Sequence, residues 1–213
     1  MNIKALNEIR NEILQTGRAV KIVAVTKYVD VEETNIIARS GADAIGENRV
    51  ENAKEKFPHL TTNIEKHFIG AIQSNKISDI VELFDVVESV GSIKHLTLID
   101  EKAKELNKKI RVFLQFNISE ELQKSGFAKS DLSELAGAVK GLEKVKVIGV
   151  MGMASRSEDT DVIRSQFRVL GEYRDGLKSK CPTITELSIG MSDDYLVALE
   201  EGSTILRLGR VLL

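Results

Sequence analysis

Apolar positions along the chain fall into two kinds of run that alternate. The opening segment, Asn2–Gln15, sets Ile3, Leu6, Ile9, Ile13 and Leu14 near one face of a helix. After it, short continuous apolar runs alternate with longer stretches of helical period. VKIVAVT precedes VEETNIIARS, ADAIG precedes ENRVENAKEK, and KHFIGAI precedes SNKISDIVEL. FDVVESV precedes SIKHLTLIDEKAKEL, and KIRVFLQFNI precedes SDLSELAGAVKGL. KVKVIGVMGM precedes the helical stretch through SEDTDVIRSQFRVLGEYRDGL, TELSI precedes SDDYLVALEE, and STILRLG closes the series. Val20, Ile22, Val23, Ala24 and Val25 leave no polar face, as in a strand covered on both sides. Strands separated by helices predict a parallel sheet. About eight of them exceed the usual five or six of an open doubly wound sheet and fit a (β/α)₈ barrel with an extra N-terminal helix. The length, 213 residues, is at the short end for that fold. There is no linker or low-complexity tract, and the only prolines are Pro58 and Pro182, so residues 1–213 are expected to form one domain.

In this fold active sites gather where the strands end. The first predicted strand ends at Lys27 and the second runs into Gly46-Glu47-Asn48. The third leads to Gln73-Ser74-Asn75, the fourth to Ser89, the fifth to Asn117, and the sixth to Met151 and Met153. The seventh carries Ser188, then Gly190, Met191 and Ser192, and the eighth ends Arg207-Leu208-Gly209-Arg210. Polar residues thus collect at one rim around one amine. Taken alone, Lys27 reads as a side chain whose stem packs and whose charge reaches water.

Composition narrows the partners. Hydrophobic residues make up 42% and charged residues 29%, within the range of folded globular chains. The formal net charge of -2 provides no broad basic field for nucleic acid. No apolar run is long enough to span a membrane, and MNIKALNEIRNEIL lacks the apolar core of a secretory leader. Cys181, the single cysteine, has no internal partner, which suits a reducing cytoplasm. His59, His67 and His95 show no ligand spacing, and His67 at the start of a strand reads as structural. Glu47 reads as a surface charge opening a helix. GADAIG lacks the Gly-Lys-Ser/Thr of a P-loop.

The segments LSIGMSDD and LRLGR follow strands seven and eight, where barrels often bind phosphate. Their glycines let backbone N–H groups approach an anion, and Ser192 can cap the following helix. The same features serve as ordinary loop and cap chemistry. Paired with Lys27, they define a sharper constellation. A lysine in a partly desolvated pocket can form a Schiff base with an aldehyde. An aldehyde bearing a phosphate describes pyridoxal 5'-phosphate (PLP), and a sugar phosphate on a Schiff-base aldolase remains open at this point.

The stretches AVTK, IGEN, HFIGAIQSNK, NISEELQKSGF, GVMGMAS and LSIGMSDDYLVALEEGSTILRLG resemble, in order and from end to end, the YggS/PROSC-type pyridoxal phosphate homeostasis proteins. The resemblance implies a barrel similar to the N-terminal domain of alanine racemase, with PLP carried on Lys27 as an internal aldimine. It implies that Asn48 lies near the ring, that Ser188 and the backbone at Gly209 and Arg210 hold the phosphate, and that Arg207 faces the pyridine nitrogen. An arginine there is a donor only and disfavours the pyridinium that a strong electron sink requires. The family closes on a pattern near RIGTAIFG, with threonine where this chain has Arg210, and extends several residues beyond the position of Leu213. The first replaces a hydroxyl contact with either the Arg210 guanidinium or its backbone N–H alone, and the second predicts looser cofactor binding. The function implied is a monomeric, cytoplasmic PLP-holding protein that delivers the cofactor to apo PLP-enzymes and has no established reaction of its own. The alternative is an amino-acid racemase of the alanine-racemase type, which needs an acid or base on each face. Tyr28, Tyr173 and Tyr195 are the only tyrosines, and none is marked by its context as that base.

Overall fold

The computed structural model describes residues 2–119 and 125–213. Eight parallel strands close into a barrel in sequence order: β1 (Lys21–Val25), β2 (Ala44–Glu47), β3 (Glu65–Phe68), β4 (Val86–Val90), β5 (Ile110–Gln115), β6 (Val145–Met151), β7 (Glu186–Ser188) and β8 (Ile205–Leu208). Helix α1 (Ile3–Gln15) precedes the barrel. The crossover helices are α2 (Val31–Arg39), α3 (Val50–Lys56), α4 (Ile77–Leu83), α5 (Ile93–Glu105), α6 (Leu132–Lys140), α7 (Thr160–Lys178) and α8 (Tyr195–Glu200). Asn2 caps α1 by accepting from the Ala5 amide, and Asp30 with Glu33 forms a capping box on α2.

The strand alternation divides the core in two. Val23, Ala44, Val86, Phe113, Met151 and Ile205 pack together inside the barrel. The larger outer layer, including Ile22, Ile45, Val87, Leu114, Val150 and Leu206, packs against the helices. Both layers are buried, which is why these strands read as unbroken apolar runs. Register is pinned at the N-terminal face by aspartates, two just before strands and one on α5. Asp43 accepts from the Ile22 amide (2.7 Å) and Asp85 from the Lys66 amide (2.9 Å). Asp100 Oδ1 accepts from the amides of Glu143, Lys144 and Val145.

The third strand is shorter than its apolar run. KHFIGAI predicts a strand to Ile72, but pairing stops at Phe68. Gly70 is the reason: a Cβ there would lie 2.0 Å from the Asn48 carbonyl oxygen, so the chain after β3 crosses against the β2 loop instead of extending the ladder.

Candidate functional site

The rim at the strand C-termini is built from two neighbouring seams. β8 pairs with β1, with Ala24 opposite Leu208, so the segments that follow, Thr26-Lys27 and Gly209-Arg210, lie side by side. Lys27 is half-buried. Its Nζ sits 4.8 Å from the centroid of the exposed Tyr28 ring and has no ion-pair partner among the described residues. Asn52 Nδ2 reaches the Lys27 carbonyl at 3.5 Å, tying the segment to α3. Asn48, directly after β2, is half-buried at the same rim. It borders a cleft of about 520 Å³ lined also by Arg49, Asn52, Gly70, Gln73 and Lys76.

The second seam joins the loops after β7 and β8. Gly190 has φ +95°, and a Cβ on it would meet Ala198 Cβ at 2.6 Å and Leu206 Cδ2 at 2.7 Å, so only glycine fits this turn. Its carbonyl accepts from the Arg207 amide at 2.9 Å. Two residues on, the Ser192 hydroxyl accepts from the Val211 amide at 3.3 Å. Ser192 therefore bridges the two loops. The amides of Ser192, Gly209 and Arg210 have no backbone acceptor among the described residues. They form a concavity of donors of the kind that binds anions. The Arg210 side chain is exposed and pairs with Asp193, so only its backbone contributes to that concavity.

Ser188 and Arg207 lie one layer below. Ser188 is fully buried; its hydroxyl donates to Glu88 Oε2 (2.5 Å) and accepts from Arg207 Nη1 (2.6 Å). A phosphate contact from Ser188 would break this chain, and the rim serine is Ser192. LSIGMSDD offers two serines, Ser188 and Ser192. The strand ends at the first, whereas the loop turns the second toward the Gly209 segment. Arg207 is 5% exposed and donates to the Ser188 carbonyl (2.8 Å) and the Gly152 carbonyl (2.9 Å). Burial pulls the pKa of its guanidinium down from the ordinary value, against the opposing pull of Glu88 and Asp194.

Two further acids were misjudged or missed in sequence. Glu47 is buried, not a surface charge: Lys56 Nζ (2.8 Å) and Thr26 Oγ1 (2.7 Å) both donate to its Oε1, in the layer between β2 and α3. Glu88, inside β4, escaped notice because VVESV reads as an apolar strand interrupted by a polar pair, Glu88 and Ser89. Its carboxyl is fully buried; burial pushes its pKa up, but His67, Arg207 and Ser188 together hold it below the ordinary carboxylate range. His67, expected to be structural, is buried inside the barrel with Nδ1 2.5 Å from Glu88 Oε1 and Nε2 2.7 Å from Glu65 Oε1. Of the tyrosines, Tyr173 stacks on Phe116 (centroids 5.2 Å apart). Burial, with the Glu12 carboxylate adding to it, pushes the Tyr195 hydroxyl up to about 12. Of the site-proximal loop Lys124-Ser125-Gly126, Lys124 lies outside the described residues.

Residues 2–213 match the family described as alanine racemase, N-terminal domain. A pyridoxal phosphate homeostasis protein of Vibrio alginolyticus is 32% identical over 200 residues, covering 92% of this chain and 86% of the relative. The chain belongs to the pyridoxal phosphate homeostasis family. Members from Escherichia coli strain K12 (32% identical over 197 residues, 89% of this chain and 83% of the relative) and Schizosaccharomyces pombe (31% over 210 residues, 96% and 88%) show the same span of likeness. PipY of Synechococcus elongatus PCC7942, solved with PLP bound, superposes with a TM-score of 0.89 at 28% identity, covering 99% of this chain and 98% of that one. An alanine racemase of Clostridium difficile 630 shares the fold, with a TM-score of 0.78 at 17% identity, but this chain spans only 59% of its length. Among the described residues of this family member, no helix is long and apolar enough to cross a membrane.

Proposed function

We propose that this chain binds PLP at the C-terminal rim, holding the aldehyde on Lys27 and the phosphate at the β7–β8 loops, and that it serves cellular PLP homeostasis. The observation that carries the reading is the pairing of two features across one seam. An amine without an ion-pair partner among the described residues stands just after β1. Beside it, the end of β8 presents amides without a backbone acceptor among the described residues, and Ser192 bridges this segment to the loop after β7. The residues fit the group: an aldehyde needs a free amine, and a phosphate needs convergent N–H donors and a hydroxyl.

Lys27 Nζ would condense with the aldehyde carbon and release water. The amides at Gly209 and Arg210, with Ser192, would take the phosphate. Asn48 would flank the ring, and Arg207 would lie beneath the ring nitrogen with Ser188 fixing it from below. When bound, PLP supplies an electrophilic carbon and an electron sink. A guanidinium donor under the ring nitrogen keeps that sink weak, which suits holding over turnover. The names of the curated relatives and the PLP-bound PipY support the reading. On it, the protein acts in the cytoplasm as a monomer that passes PLP to apo PLP-enzymes.

The test is direct. Purified protein mixed with PLP should gain a visible absorption band, and borohydride should fix the label on the peptide containing Lys27. Lys27→Ala should show neither. A band and label that persist in Lys27→Ala would reject the assignment.

A further inference from the structure

A continuous chain of hydrogen bonds runs through the barrel interior from the rim to the opposite mouth. Arg207 Nη1 donates to Ser188 Oγ (2.6 Å), and Ser188 Oγ donates to Glu88 Oε2 (2.5 Å). Glu88 Oε1 faces His67 Nδ1 (2.5 Å), and His67 Nε2 faces Glu65 Oε1 (2.7 Å). Glu65 in turn accepts from Arg111 Nη2 (2.8 Å) and Lys21 Nζ (3.4 Å). These last residues line a cleft of about 230 Å³ at the N-terminal mouth, together with Lys146, Thr183, Thr185 and Glu186. The members come from β1, β3, β4, β5, β7 and β8, so the chain crosses the whole barrel.

Donor counting fixes the charges along it. Ser188 has one proton and gives it to Glu88, so it must accept from Arg207. Both ring nitrogens of His67 face carboxylate oxygens. A neutral imidazole has one N–H and would set a bare nitrogen lone pair against the second carboxylate. The ring therefore carries both protons, giving the alternation Arg207⁺, Glu88⁻, His67⁺, Glu65⁻. Burial works against a charged His67, but its bonds to Glu65 and Glu88 overcome this and raise its pKa above the ordinary 6.5. Every charge in the chain has an opposite neighbour, which is the condition for keeping such groups buried.

We propose that Glu88 and His67 are positioning residues that hold Arg207 in place under the rim site, and that through Glu65 they couple this site to the N-terminal mouth of the barrel. The inference rests on the PLP reading above. Glu88 acts on the site only through Ser188 and Arg207. Loss of its charge leaves the Arg207 guanidinium facing Asp194 as the remaining nearby carboxylate and frees it to turn. Loss of the His67 proton withdraws a donor from Glu88. The groups facing His67 are Glu65 on its own strand and Glu88 on β4. Arg111 on β5, Lys21 on β1, Lys146 on β6 and Glu186 on β7 surround the cleft beyond it. Its titration should therefore register at the rim.

The experiment is a PLP titration of the full chain across pH, reading affinity and the visible band, for the wild type and for Glu88→Gln, His67→Gln and Ser188→Ala. Glu88→Gln and Ser188→Ala should each weaken PLP by about tenfold or more, the scale of a lost charge-assisted hydrogen bond. The wild type should lose affinity as pH rises through the His67 titration, and His67→Gln should flatten that limb. Ser188→Ala removes the hydrogen-bonded link, leaving only the longer Arg207–Glu88 ion pair (3.8 Å) and the His67–Glu88 pair intact, so it carries the test if either charge variant fails to fold. Variants that label at Lys27 with wild-type affinity and an unchanged pH profile would overturn the coupling alone. A wild type with no Lys27-dependent band would overturn the cofactor assignment, and the coupling with it.

Discussion

At the scale of single residues, the PLP reading proposed above separates rim groups that would meet the ligand from groups that would hold those still. On it, Lys27 and Ser192 are of the first kind, and Ser188, Glu88 and His67 of the second. Ser192→Ala removes one hydroxyl and its bridge to the Val211 amide. We expect PLP affinity to fall by about tenfold while the Lys27 label still forms, measured by titrating the visible band. An unchanged affinity would remove Ser192 from the phosphate site. Lys27 stood out in sequence as a charge closing a strand buried on both faces, although such a lysine also serves as a packed stem with its charge in water. The serines of LSIGMSDD were harder to rank: two hydroxyls four residues apart differ only in whether the strand has ended, a boundary that composition does not mark. Glu88 was invisible for a related reason. A carboxylate inside an apolar run gives no periodic signal, and its partners His67, Ser188 and Arg207 come from three other strands.

At the scale of elements, polar groups buried between barrel and helices hold α3 in place behind the rim. Lys56 reaches from α3 to Glu47 on β2 and to the Thr26 carbonyl (2.7 Å), beside Lys27. Glu47 Oε2 has no hydrogen-bond partner among the described residues. Lys56→Met would leave the Glu47 charge buried and uncompensated, a cost of about 3–5 kcal/mol. The unfolding free energy from urea titration should fall by that amount, and a fall under about 1 kcal/mol would mean that the pair contributes little. Sequence reading recovered each strand and helix because the period switches cleanly between them. It misjudged where β3 ends, since that boundary is set by the backbone approach of Gly70 to Asn48, a contact between segments 22 residues apart in sequence. Glu47 misled for the mirror reason: a glutamate just before a helix has the sequence signature of a surface charge, and only the opposing Lys56 reveals it as interior.

At the scale of the whole molecule, the interior charge chain sets a pH window. Hydrogen bonds from His67 and Arg111 hold Glu65 well below the ordinary 4.5, and Glu88 is likewise lowered. Their stabilisation is present above the ordinary carboxylate value and fades as acid takes pH down through the lowered ones. His67 is raised, so its contribution is full below 6.5 and is lost as pH climbs through the raised value. The cofactor-free protein should therefore melt highest between about pH 4.5 and 6.5, as far as these groups govern it. In His67→Gln, melting temperature should no longer fall on the alkaline side through this group. A melting curve against pH that is identical for the two proteins would show that folding does not shift the titration of this ring.

The barrel has one thin joint. β7 is three residues long and meets β8 at a single register pair, Ser188 with Ile205. Elsewhere along that joint the ladder is replaced by individual stitches: Thr204 to Leu187 in both directions, the Arg207 amide to Gly190, and the Arg207 guanidinium to the Ser188 carbonyl. The hoop is thus clasped by the same arginine that lies beneath the proposed ring. A change that pulls this side chain away both unseats what rests on it and slackens the clasp, so grip above and closure below stand or fall as one mechanical unit.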